Sequence, residues 1–437
     1  MDLTLQLFFE NKWKDAASLT LKSPNVGYRG ATTLDYEMEY FVCVGSIPFA
    51  EGKPVRAARA LSVAVPIDLE NRSRATWPPF LLDLLPQGQQ RERIAAHLKL
   101  DPDARSADVP LLLNGAGSPV GNMRIKEART DELVRAAPMR RSGVSMKDIL
   151  DRTDRFLSLA DTFALVASGS SGLQGNWPKI AMTRAADGNW YLDSTVEDAD
   201  AREHIIVKLM RSNETVDETI LRSEAAYSAI ATEFGLHVHA KLRYGAGVLV
   251  IPRFDRLVQN GEVLRYGQES FVSTLGVAEF NHIDTHENYL EMLRGVSSEP
   301  LADVIEYVLR DVLNLAMGNP DNHGRNTALR KTADGEMRLA PLFDFAPMKL
   351  SPAVIVRSTK WGCMRAAGRD YNPDWKVVCE AAAGDDLPAD EIAAALSEKE
   401  ALIRSLPDIG RRHGLSDDVI GKAFAAHAEI ADAIAEM

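Results

Sequence analysis

Along residues 3–65 the apolar positions alternate with polar ones or gather in β-rich runs: LTLQLFF, YFVCV and ARALSVAVP, with turn residues between. A period of two predicts strands, so this stretch reads as a small sheet. From Trp77 to Leu100 the spacing becomes helical, with a break at Pro86, which predicts two helices packed on that sheet in an α+β domain ending near Arg124. Residues 126–146 are polar, charged and short of large apolar side chains, as a connector would be. From about 151 the order is helix, glycine-rich turn, strands around KIAMTR, NWYLD and HIIVKLM, a helix TILRSEAAYSAIATEFG, then strands AKLRY and GVLVIPRF. Beyond Asp255 the pattern is predominantly helical, in ADVIEYVLRDVLNLAMG, ADEIAAALSEKEALIRSL and the last 22 residues, interrupted by a loop-rich stretch from 318 to 346. The expected organisation is an N-terminal α+β domain over 1–125, a connector over 126–150, a β-rich lobe over 151–256 and an all-helical lobe over 257–437.

Length supports this modularity, because 437 residues exceed what one core ordinarily holds. With 46% apolar and 26% charged residues the composition is that of an ordinary globular protein, with no repeat or low-complexity tract. The N-terminal MDLTLQLFFENKWKD carries acids where a signal peptide needs basic residues, and no run approaches the roughly 20 apolar residues that span a bilayer. A cytoplasmic chain with no membrane partner is expected. Cys43, Cys363 and Cys379 lie far apart, which suggests neither a disulfide framework nor a zinc site. The formal charge of -12 argues against a surface built wholly to hold nucleic acid. Arg124 to Lys126 with Arg140 and Arg141, and Arg152 with Arg155, are either a local basic patch or an ordinary solvated surface.

Three motifs carry chemistry. Ser168-Gly169-Ser170-Ser171-Gly172-Leu173-Gln174-Gly175 precedes the strand that begins near Lys179; its glycines let backbone N–H groups approach phosphate oxygens, although such a turn is also common loop punctuation. Lys208 sits in the apolar strand HIIVKL, sixteen residues before Glu224 on an amphipathic helix. Kinases use such a lysine on nucleotide phosphates with a helix glutamate holding it; the plainer reading is an edge-strand lysine in solvent. The sharpest motif is Gly318-Asn319-Pro320-Asp321-Asn322-His323-Gly324-Arg325-Asn326, followed by Phe343-Asp344-Phe345. Asp321 and Asn326 have the D-x-x-x-x-N spacing in which the aspartate orients an attacking hydroxyl and takes its proton while the asparagine oxygen binds magnesium. Asp344 supplies a hard carboxylate for the same metal. The loop is also a respectable turn, but a turn explains neither Phe-Asp-Phe nor the lysine–glutamate pair. His323 is assigned a supporting role in the catalytic loop. Phe254, in Arg253-Phe254-Asp255-Arg256, either stacks on adenine or fills the core between lobes. Together the motifs point to a two-lobed protein-kinase-like fold, ATP and Mg2+ as cofactors, and phosphoryl transfer to a protein hydroxyl.

In the order and spacing of these residues the chain resembles the HipA family, the serine/threonine-kinase toxins of bacterial toxin–antitoxin modules. The likeness runs through Ala64-Val65-Pro66, Phe80 to Pro86 with Arg91 to Ile94, Gly115 to Gly121, Gly172 with Gln174, Lys179, Lys208, Glu224, Arg253 to Arg256, Asp321 to Asn326 and Phe343-Asp344. It implies that Asp321 is catalytic, that Asn326 and Asp344 hold magnesium, that Lys208 contacts the phosphates and that Phe254 borders adenine. It further implies autophosphorylation of a loop serine, a protein substrate connected with translation such as an aminoacyl-tRNA synthetase, and restraint by a HipB-like helix-turn-helix antitoxin that carries the operator DNA contacts. The loop departs from the family pattern: Gly169 stands where a serine is usual, which leaves Ser170 and Ser171 as candidate acceptors, and Lys179 follows Gln174 by five positions, not two. Pro252 stands where relatives carry a nucleotide-contacting glutamate. The rival readings are a small-molecule kinase, which the long segment ahead of the kinase part disfavours, and an inactive antitoxin- and DNA-binding scaffold, which has no reason to retain Lys208, Asp321, Asn326 and Asp344.

Overall fold

The computed structural model describes residues 1–44, 57–166, 177–365 and 367–437. Contacts divide the chain into two compact units, one of residues 1–211, 244–280 and 330–336, the other of residues 212–243, 281–329 and 337–437. The stretches 1–125 and 126–150, expected as separate pieces, fall in the first unit with most of 151–256. The glycine-rich turn, with Ser170, Ser171, Gly172 and Gln174, lies outside the described residues.

The first unit opens on an antiparallel sheet of β1 (Asp2–Phe9), β2 (Lys12–Leu21), β3 (Thr32–Tyr36), β4 (Arg72–Arg74) and β5 (Met123–Ile125), in the order β4-β3-β2-β1-β5. Leu3, Leu5 and Leu7 alternate inward on β1, and Glu10 and Asn11 turn the hairpin with φ of 50° and 57°, as a two-residue loop matched to strand twist requires. The two helical segments after Trp77 are present, a 3-10 turn Pro79–Leu84 and an α-helix Gly88–His97, broken at Pro86 as expected. YFVCV, expected as a strand, lies instead in the helix Met38–Val44, where Tyr40, Phe41 and Val44 share the buried side at helical spacing. ARALSVAVP is likewise no strand. Both carboxylate oxygens of Glu269 take donors from it, Ser62 Oγ and the Val63 N–H, and fold the run into a turn. The expected connector contains two helices, Lys126–Ala136 and Met146–Leu150; the second begins with a reciprocal cap between Ser145 and Asp148.

The second sheet is made by β6 (Lys179–Ala185), β7 (Trp190–Leu192), β8 (Ala201–Leu209), β9 (Arg243–Gly245) and β10 (Val248–Pro252), ordered β7-β6-β8-β10-β9. All three of its expected strand runs before residue 212 are there. An all-helical course beyond 257 is not. A hairpin of β11 (Arg256–Gln259) and β12 (Glu262–Arg265) turns at Asn260-Gly261, with φ of 52° and 80°, and short strands occupy Gly267–Ser270, Ala328–Lys331 and Met337–Leu339. An Asn-Gly pair between β-branched residues is a strong hairpin signal, and it outweighs the helical neighbourhood.

The second unit is mainly helical and is organised around the helix Pro300–Ala316, which packs against helices His286–Val296, Trp375–Ala383, Ala389–Ser397 and His427–Ala435. Proline at its first turn starts this helix, and its buried stripe includes Val304, Val308, Val312 and Leu315. Among the described residues no helix is long and apolar enough to cross a membrane.

Candidate active site

The way that central helix ends places the site. Its last turn closes with the Gly318 N–H donating to Leu315 O (3.4 Å) and the Asn319 N–H to Asn314 O (2.8 Å), the paired bonds of a Schellman end. Gly318 takes φ 66°, and a Cβ there would lie 2.5 Å from Ala423 O, so only glycine suits both backbone and neighbour. Asn319 Nδ2 donates to Asn314 Oδ1 (2.8 Å), and Asn319 Oδ1 accepts the Asp321 N–H (3.3 Å). The loop therefore leaves the helix in a set direction, with Asp321 four residues past the C-cap Met317.

Within the loop, Asn326 Nδ2 donates to Asp321 O (2.9 Å) and the Asn326 N–H to His323 O (2.8 Å). That donation turns the amide so that Oδ1 is its acceptor end. His323 Nδ1 accepts the Arg325 N–H (3.3 Å), which puts the ring proton on Nε2, and Nε2 lies 3.4 Å from Asp321 Oδ1. His323 thus presents its Nε2–H to the Asp321 carboxylate.

Opposite the loop runs the segment carrying Asp344. Arg310, from the central helix, donates through Nη2 to Ala340 O (2.9 Å), the Leu342 N–H donates to His237 O (2.8 Å), and Phe345 packs edge-on against Tyr227 at 5.1 Å. Asp344, held between these anchors, adopts φ 54°, a left-handed backbone that a non-glycine residue takes at a cost.

Asp321, Asn326 and Asp344 line one cleft of the second unit, together with Asn322, Phe343, Asn314, Asn319 and the floor residues His286 and Asp311. Its cavity of about 40 Å³ has room for a small hydrated cation, since one water needs roughly 10–15 Å³. Among the described residues no group of three or more His, Cys, Asp or Glu forms a metal cluster. The donor set here is two carboxylates and an amide oxygen, hard ligands that suit magnesium with water completing its shell.

Beneath the cleft is a buried network that sequence reasoning missed. Arg357 Nη2 donates to both oxygens of Asp311 (2.6 and 2.7 Å) and to His286 Nε2 (2.9 Å), and Trp361 Nε1 donates to Asp311 Oδ2 (2.9 Å). Because a guanidinium only donates, His286 Nε2 is unprotonated and Nδ1–H faces Tyr307 Oη at 2.9 Å. Burial lowers the His286 pKa to about 4, with Asp311 opposing and Arg357 adding to the shift. Burial, the largest single influence, pushes Asp311 upward, but the Arg357 guanidinium, His286 and the hydrogen bonds from Arg357 and Trp361 together hold the carboxyl below its usual range. The one legible sign was Asp311 itself, a carboxylate within the buried run of an apolar helix.

In the first unit, Lys179 and Lys208 stand directly opposite in the β6–β8 register and are 7% and 2% exposed. Like charges at facing positions are unfavourable, so a buried pair of lysines calls for anions. Lys208 Nζ also lies 5.5 Å from the Trp177 ring centre. In the second unit, Glu224 is buried on the helix Thr215–Phe234.

The model of the HipA-like C-terminal domain matches residues 171–404, more than half the chain. The chain belongs to the HipA family. It is 28% identical over 390 residues to the protein named "Putative kinase Y4mE" of Sinorhizobium fredii, covering 83% of this chain and 88% of that one. It also matches the structure of HipA from Shewanella oneidensis, solved with HipB and operator DNA, at a TM-score of 0.62, 15% identity and 99% and 97% of the two chains. At that identity the match establishes the fold: a mixed α/β HipA fold over the whole length. The charged residues of Arg253-Phe254-Asp255-Arg256 are held in buried ion pairs. Arg253 pairs with Asp255 (2.6 Å), Arg256 with Asp193 (2.6 Å), and the Gly121 N–H donates to Asp255 Oδ2 (2.8 Å), all buried. Phe254 between them is half-buried.

Proposed function

We propose that this HipA-family protein is an ATP- and Mg2+-dependent serine/threonine-protein kinase, a toxin that phosphorylates a translation-related protein such as an aminoacyl-tRNA synthetase. The observation that carries the reading is the single cleft lined by Asp321, Asn326 and Asp344. Asn326 and Asp344 hold the metal, which supplies charge neutralisation on the nucleotide phosphates. Asp321 orients the acceptor hydroxyl and takes its proton as that oxygen bonds the γ-phosphorus and the bridging oxygen leaves with ADP. His323 Nε2–H steadies the Asp321 carboxylate during this step. Lys208 and Lys179 bind phosphate oxygens, Glu224 belongs to the nucleotide-binding set, Gly172 and Gln174 belong to the phosphate loop, and Phe254 borders adenine. Ser170 or Ser171 is the autophosphorylation acceptor. A HipB-like antitoxin restrains the enzyme and supplies most contacts to operator DNA, in keeping with the net charge of -12 on this chain.

Purified protein incubated with labelled ATP and Mg2+ is expected to label itself or a lysate protein, and Asp321→Ala to abolish the labelling. Labelling of small molecules alone would overturn the protein-kinase reading. Absence of ATP binding would leave an antitoxin-binding scaffold.

A further inference from the structure

Thr359 O is a junction. It accepts Arg357 Nε (3.1 Å) from the buried network and Asn322 Nδ2 (3.1 Å) from the catalytic loop. The segment that carries Thr359 is itself tied to the start of the helix His286–Val296, through the His286 N–H to Lys360 O (3.1 Å) and an isolated parallel bridge between Thr285 and Lys360. Arg357 and Asp311 are each 2% exposed. Such a pair is a poor device for stability alone, because apolar residues of similar volume usually hold a core as well as a buried ion pair does. What an apolar pair cannot do is point donors in two fixed directions, one at a carboxylate and one at a backbone carbonyl, as the guanidinium fork does here. Asn322, next to Asp321 and lining the same cleft, has its Oδ1 buried with no partner among the described residues, so Nδ2 to Thr359 is its anchoring bond.

We propose that the relay Asp311–Arg357–Thr359–Asn322 positions Asp321 for phosphoryl transfer, with Arg357, Asp311 and Asn322 acting as positioning residues. The inference rests on the kinase reading. The catalytic loop is pinned at its start by the Schellman end of the central helix and at its middle by Thr359 O. Release of the second pin lets Asp321 swing about the first.

Two variants test this. Asn322→Ala removes the loop's donor without unpairing a buried charge, and Arg357→Lys keeps a cation for Asp311 but cannot also reach Thr359 O in the same geometry. Both are expected to lower kcat about tenfold or more, since small misplacements of a reacting group cost that much, with the KM for ATP changed less than about twofold. Amide hydrogen exchange across residues 319–326 should rise in both variants while the melting temperature of Asn322→Ala stays within a few degrees of wild type. Unchanged exchange in that segment overturns the relay, and so does raised exchange with kcat intact. If the wild-type chain transfers no phosphoryl group, the kinase reading falls by itself, and exchange in the same variants still decides whether the relay holds the loop.

Discussion

Asp344 combines two demands at one residue, an oxygen ligand in its side chain and a left-handed backbone in its main chain. Asparagine tolerates the same φ of 54° and keeps an oxygen, but not the charge. Asp344→Asn is therefore expected to melt within a few degrees of wild type while the Mg2+ concentration for half-maximal activity rises about tenfold or more. A metal titration of activity, read beside a thermal melt, checks both halves. A large fall in melting temperature would mean that the carboxylate serves the fold first. His323 raises a different point at the same scale. Its tautomer follows from one backbone donor, the Arg325 N–H, which only the folded loop brings to Nδ1.

At the scale of elements, the site depends on how one helix ends. Gly318→Ala would strain the left-handed backbone and push a methyl group toward Ala423 O, and is expected to destabilise the protein by about 2 kcal/mol or more, read as a shift in urea midpoint. Gly318→Asn should cost less backbone energy but meet the same contact. Elements also show where pattern reading works and where it stops. The D-x-x-x-x-N loop and Phe-Asp-Phe were legible because their polar residues break apolar surroundings at fixed spacing, and the structure brings Asp321, Asn326 and Asp344 to one cleft. The helix at Met38–Val44 was misread as strand because five β-prone residues are too few to separate a period of 2 from one of 3.6. The β11–β12 hairpin is marked in the sequence only by its Asn-Gly turn, inside a helical neighbourhood. Arg357 had no local sign at all: its partners lie 46 and 71 residues away in the chain, and only folding brings them together.

At the scale of the whole molecule, the network beneath the cleft couples stability to pH. His286 has a folded pKa of about 4 against 6.5 when exposed. Between those values the unfolded chain binds a proton that the folded one refuses, so stability is full above about pH 6.5 and falls as pH drops toward 4. The shift corresponds to at most about 3 kcal/mol. Asp311 acts in a lower window. Its depressed pKa contributes stability above the usual carboxylate value, lost only as pH falls through the folded one. His286→Gln is expected to flatten the upper part of the profile in urea melts between pH 7 and 4.5; an unchanged slope would remove His286 as its source.

The backbone at residue 344 bears on how members of this family would decay. A position that admits few residues other than Asp, Asn and Gly screens mutations by foldability before chemistry is ever consulted. Copies drifting out of use should thus shed the acid at 321 or the amide at 326 early, and stay confined to Asp, Asn or Gly at 344 long after there is anything left to bind.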